Sequence, residues 1–181
     1  MTTPQASRHK TSCPCRISGL ICIVVGYCQR IPESLIAALG RFSIAAVFWK
    51  SGQTKIEGFA IDIIDGTFQF GWPRLSDSAV YLFREEYKVP LLDPEFAAPL
   101  AAFAEHLFPI LLLLGLATRF SAASLLLMTL VIQIFVYPDA YPTHGAWATV
   151  LLYLLARGGG IFSLDHWIVR FAPPCLNRHE S

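Results

Sequence analysis

From Phe120 to Tyr137 the chain runs eighteen residues without one charged side chain. As a helix such a stretch rises about 27 Å, close to the hydrocarbon thickness of a bilayer, and it satisfies every backbone N–H and C=O within itself. Few environments other than lipid suit it. Composition agrees: 54% of the 181 residues are hydrophobic, only 15% are charged, and mean hydropathy is +0.50. A soluble domain carries roughly 25% charged residues. The formal net charge of +1 supplies no excess of positive charge to neutralise a phosphate backbone, which excludes nucleic acid as a partner. Five cysteines are too few for a disulfide scaffold.

Three further stretches approach the length of a span: Leu35 to Gly52, Ala97 to Ala117 and His144 to about Leu164. The predicted fold is therefore an all-α membrane protein, an antiparallel four-helix transmembrane bundle with spans at about 35–52, 97–117, 120–137 and 144–164. Residues 1–34 form an N-terminal cytoplasmic or interfacial segment, 35–168 the membrane domain and 169–181 a cytoplasmic tail. Within the first segment, Ile17 to Cys28 is apolar but only twelve residues long, and no small-residue cleavage site follows it. It reads as an uncleaved interfacial segment. Between the first two spans, Gln53 to Glu95 carries eight carboxylates among Gly, Pro and aromatic residues. Apolar residues such as Phe59, Ile61, Phe68 and Phe70 predict short amphipathic pieces packed on the mouth of the bundle, a structured outer loop.

Lys and Arg outside the spans set the orientation. Arg8, Lys10, Arg16, Arg30, Arg119, Arg170 and Arg178 fall on one side, while the other holds Lys55, Arg74, Arg84 and Lys88 diluted through an acidic loop. This predicts a multi-pass inner-membrane protein with both termini in the cytoplasm.

Arg41, Glu105 and His106 lie inside spans, where ionisable groups face inward and pair. With Leu35 and Ala97 starting at opposite faces, Arg41 lies about 9 Å from one face and Glu105 about 12 Å from the other, a gap an Arg side chain can bridge. Two readings follow: a structural Arg41–Glu105 ion pair, or a proton, quinone or metal site. A haem shared by His106 and His144 is disfavoured by depth, since His106 is about 13 Å inside its span and His144 at the end of another. Cys13-Pro14-Cys15 lacks the C-x-x-C spacing of a redox or zinc pair. The acidic loop offers Glu85, Glu86 and Asp93, with His144, as weak candidates for metal ligands; solvated surface is the plainer reading. No Ser-His-Asp order, kinase signature or H-E-x-x-H occurs, so no self-sufficient catalytic motif is present.

The order of features resembles the DoxX family of small four-helix membrane proteins over about Leu35 to Ile168. The matching pieces are Arg41, then Phe48 to Lys55 with Ser51, Gly52 and Lys55, then Glu105 with Pro109, Leu114 to Arg119 with Gly115, Thr118 and Arg119, and Gly158 to Asp165. Each also has a plain reading: Ser51 and Gly52 admit a close neighbour, Lys55 anchors at headgroups, and Gly115 with Thr118 makes a tight turn before Arg119 caps the surface. The resemblance implies a membrane component of a redox or metal-handling system, with relatives serving in thiosulfate:quinone oxidoreductase or in oxidative-stress and sulfur-handling complexes. Within the family, Leu82 to Leu92 followed by Ala97-Ala98 is similar to the branch found beside maturation systems for copper-binding peptides. Quinone and copper are the groups this leaves open, and other subunits of a redox or peptide-maturation system are the partners it implies, beside membrane lipid. The competing expectation is a structural or assembly protein without catalysis. A small transporter is disfavoured because no inverted repeat or paired discontinuous segment is visible.

Overall fold

The computed structural model of the chain describes residues 16–62, 66–87 and 92–171. The Cys13-Pro14-Cys15 pair, Lys88 to Leu91 and the tail after residue 171 lie outside these described residues. The chain divides into two compact units, Met1–Pro32 and Glu33–Ser181. Helix α1 (Arg16–Cys28) belongs to the first; its thirteen residues rise about 20 Å, short of a bilayer's hydrocarbon core.

The second unit is mostly helical. Helix α2 (Glu33–Gln53) follows Pro32 and places Glu33 in its first turn, where a carboxylate complements the helix dipole. Helix α3 (Asp77–Leu82) runs on into a π-helical turn, Phe83–Tyr87. Helix α4 (Pro94–Leu114) opens with Pro94 at its first position and Asp93 as cap, whose carboxylate accepts from the Glu95 N–H at 3.0 Å. It stops at Gly115, whose φ of 68° is the left-handed conformation that glycine adopts freely. Helix α5 (Thr118–Val131) continues through a π-helical turn to Val136, α6 spans Tyr141–Arg157, and α7 (Leu164–Phe171) follows the glycine triplet. Three helices are long and apolar enough to cross a membrane: Glu33–Gln53, Pro94–Leu114 and Thr118–Val136.

Four helices contribute to one core. Ala37, Ile44, Ala45 and Phe48 of α2 meet Leu112 of α4, Ala122 and Leu125 of α5, and Leu151 and Leu154 of α6. A smaller cluster packs Phe83, Ala97 and Ala98 with Leu75, Val80 and Tyr87, seating α3 and the turn after it on the first half of α4.

The expectation of an all-α protein needs one correction. Strands β1 (Ile56–Asp62) and β2 (Thr67–Leu75) pair antiparallel, with Phe59 opposite Phe70 and Ile61 opposite Phe68. Alternating apolar residues here serve a two-residue period that is too short to distinguish from a helical stripe by pattern alone. The last helix also differs: α6 ends at Arg157, because Gly158 turns the chain at φ 78°, and α7 begins a new helix six residues later.

Candidate functional site

Glu105 is only 3% exposed, and burial of a carboxylate demands a partner. That partner is Lys55, whose Nζ donates to Glu105 Oε2 at 2.7 Å. Ser51 Oγ donates to the other carboxylate oxygen at 3.3 Å and accepts from Lys55 Nζ at 3.1 Å, closing a three-membered network. Lys55 also donates to the Ser51 carbonyl at 3.3 Å. Two expectations are thereby corrected. Lys55 is not a headgroup anchor but a buried cation, because the chain turns back at the end of α2 through the Lys55 N–H to Gly52 carbonyl bond. Arg41 does not pair with Glu105.

The reason is the register of α4 against α2. A Cβ added to Gly52 would lie 3.1 Å from Glu105 Cβ and 2.8 Å from His106 Cε1, so Glu105 sits opposite the end of α2, not opposite its first third. Arg41 is eleven residues earlier, about 16 Å along the helix. There Arg41, 4% exposed, donates from Nη2 to the Phe162 carbonyl at 2.9 Å and lies against Gly115, where any added Cβ would collide with Nη1. Among the described residues Nε and Nη1 have no acceptor. Asp165, in the same region, accepts from the Ala117 and Thr118 N–H groups at 2.7 and 2.8 Å, capping α5, while its own N–H reaches the Gly115 carbonyl. Arg119 reaches the Ala156 carbonyl only at 3.5 Å.

His106 points away from the Glu105 network. Its Nδ1 lies 2.6 Å from the Ala102 carbonyl and its Nε2 2.9 Å from Gln53 Nε2. Because a carbonyl only accepts, Nδ1 carries the proton and Nε2 accepts from the Gln53 amide. Gln53 Oε1 in turn accepts from the Ile61 N–H at 2.9 Å, and Trp49 packs edge-on against the imidazole. His106 therefore ties β1, α2 and α4 together.

Beside the Lys55–Glu105 pair opens a cavity of about 440 Å³. Ser51, Lys55 and Glu105 form a polar patch in a wall that is mostly apolar, built from Phe48, Ala97, Ala101, Ala104, Phe108, Met128, Val131 and Ile132 among others. Leu100 of α4 and Leu127 of α5 line it and are themselves exposed. Tyr87, Tyr137, His144 and Trp147 complete the lining. Tyr137 donates to Glu86 Oε1 at 3.2 Å and packs edge-on against Tyr87. Burial pushes the Tyr87 phenol above its usual range, reinforced by Tyr137 and Glu86. His144 Nδ1 lies 2.7 Å from Gln133 Oε1.

The sequence singles out Ser51, Lys55, Glu105 and His144, and names Tyr87 and Ala97 only within a loop resemblance, but it does not point to Tyr137, Ala101 or Ala104. A signal for the alanines exists: Ala97, Ala101 and Ala104 recur at helical spacing on one face of α4, where small side chains leave room. The weak metal candidates do not converge. Glu86 holds Tyr137, Asp93 caps α4 and His144 meets Gln133, and among the described residues no three His, Cys, Asp or Glu side chains form a metal-binding group.

Bilayer-length helices around a mostly apolar cavity with one buried ion pair define a helical membrane protein with a small-molecule-sized pocket. The sequence model of the DoxX family matches residues 36–138, more than half of the chain, and the chain belongs to that family. The Gly158 to Asp165 segment lies beyond the matched residues. Neither a curated protein nor a solved structure matches the chain.

Proposed function

We propose that this DoxX-family protein is the membrane component of a redox system and that its cavity receives a lipid-soluble carrier with a polar head, a quinone being the class that fits. The cavity is the observation that carries this reading. Its volume of about 440 Å³ suits one ring-sized head with the start of a chain, and its walls are mostly apolar, with a polar patch at Ser51, Lys55 and Glu105. The exposure of Leu100 and Leu127 supports an opening between α4 and α5 toward lipid, the phase in which such a carrier dissolves. A quinone, when bound, carries two electrons and two protons between membrane partners. In this chain Lys55, Glu105 and Ser51, held to one another, form the polar end against which the head would rest, and the apolar wall excludes water from it.

On this reading α6 is the fourth span, its seventeen residues rising about 26 Å, in an inner-membrane bundle with both termini in the cytoplasm. The copper-peptide alternative rests on a loop of which residues 88–91 lie outside the described residues, so no observation here favours it over the carrier. The test is a thermal shift of the purified protein in nanodiscs with a short-chain ubiquinone or menaquinone analogue. Wild type should be stabilised, and Ala104→Phe, which fills the cavity, should not. Equal shifts in both, or none in either, overturn the carrier reading and leave the structural one.

A further inference from the structure

Strand β1 does not run away from the helix that precedes it. Ile56 and Ile61 are five extended residues apart, about 17 Å, yet both backbone groups of Ile61 return to α2. Its N–H donates to Gln53 Oε1 at 2.9 Å and its carbonyl accepts from Trp49 Nε1 at 3.1 Å. Gln53 is fixed in turn by His106 of α4. The hairpin is thus fastened beside the last turn and a half of α2, a helix long and apolar enough to end at a bilayer face.

Its two faces differ. Cross-strand partners share a face, so Phe59 and Ile61 lie with Phe70 and Phe68, while Ala60 and Asp62 lie with Gln69 and Thr67. On the apolar face Phe59 and Ile61 of β1 are half-buried, while Phe68 of β2 is 56% exposed and Phe70 79%; Trp72, in the stretch where the ladder shifts register, is 84% exposed. Three large aromatic side chains turned to water in one nine-residue strand form a patch of the kind that marks a contact surface. Lys50, exposed in the last turn of α2, stands where a cation meets headgroups.

We propose that the β1–β2 hairpin is an interfacial membrane anchor that lays Phe68, Phe70 and Trp72 into the headgroup–acyl boundary of the leaflet at which α2 ends. The occupant of the aromatic face is phospholipid of the same bilayer. Lipid is favoured over a protein partner because the hairpin is fastened to the end of a helix long and apolar enough to cross a bilayer, and because aromatic rings, Trp above all, partition to the bilayer interface. None of Phe68, Phe70 and Trp72 lines the cavity, so the anchor stands whether or not the cavity binds a quinone.

The experiment reads Trp72 emission as the difference between wild type and Trp72→Phe in nanodiscs of phosphatidylcholine brominated near the top of the acyl chains, against unbrominated nanodiscs. The difference spectrum should be blue-shifted, lose most of its intensity to the brominated lipid and resist acrylamide added in water. Quenching by acrylamide without quenching by bromine would place the face in water and overturn the proposal. Emission blind to both quenchers would place it against protein, a second copy or another subunit, and overturn it equally. Phe70→Trp supplies a second reporter should Trp72→Phe fail to fold: the emission it adds to wild type should show the same bromine quenching, and its absence counts against the anchor.

Discussion

A carboxylate 3% exposed with an ammonium 2.7 Å away ties the fates of the two residues together. Glu105→Ala strands the Lys55 charge and Lys55→Ala strands that of Glu105, so each should cost about 3–5 kcal/mol, while the double variant loses far less than the sum. Thermal unfolding of the four proteins in detergent measures this. The same cycle run on Arg41 and Glu105 should be additive, since the two side chains lie at separate levels of the helices. Sequence depth correctly marks Glu105 as a residue that needs a partner, but it chooses Arg41 because the sliding register of one helix on another is written in packing, not in either helix alone. Lys55 is hidden for a related reason: it stands after the helix end, where a lysine ordinarily meets solvent. Tyr87 gives the pH test. Its phenol is raised above the usual value of about 10, so above that pH the native state holds a proton that the unfolded state has lost, and stability falls as pH rises. The stability difference between wild type and Tyr87→Phe should be flat below about pH 10 and should turn against wild type above it.

At the level of elements, the joints between helices are made by few atoms. Asp165 satisfies two N–H groups at the start of α5, so Asp165→Ala should cost about 1–2 kcal/mol and Asp165→Asn less, read as a drop in Tm. Gly115→Ala should be worse than either, because the position combines a φ of 68° with the Arg41 guanidinium where a methyl group would sit. These turns are legible in the sequence through Gly115, Thr118 and the Gly158 triplet, and the three long spans through their high hydropathy. The hairpin is not. Phe59, Ile61, Phe68 and Phe70 announce an amphipathic segment, but a handful of alternating residues fits a strand or a short helix until Gly66, at φ 64°, and the ladder decide.

For the whole molecule, the topology prediction is that the protein stays in membranes after carbonate washing and that reporters at Ser181 and Asp77 report opposite sides; a periplasmic Ser181 would reverse the orientation. The three long spans and their order follow from runs of apolar residues, whereas the cavity does not, because it is the space that Ala97, Ala101 and Ala104 fail to fill and depends on where α5 comes to rest. The Asp165 cap has a bearing on biogenesis. The N–H groups it satisfies belong to Ala117 and Thr118, made 48 and 47 residues earlier on the ribosome. Until Asp165 is translated, the start of α5 must leave those donors to water or to a chaperone, so the α4–α5 corner is provisional during synthesis and is locked by nearly the last helix to be made. Nascent chains arrested before residue 165 should therefore expose that corner to protease, and chains arrested well after α7 should protect it.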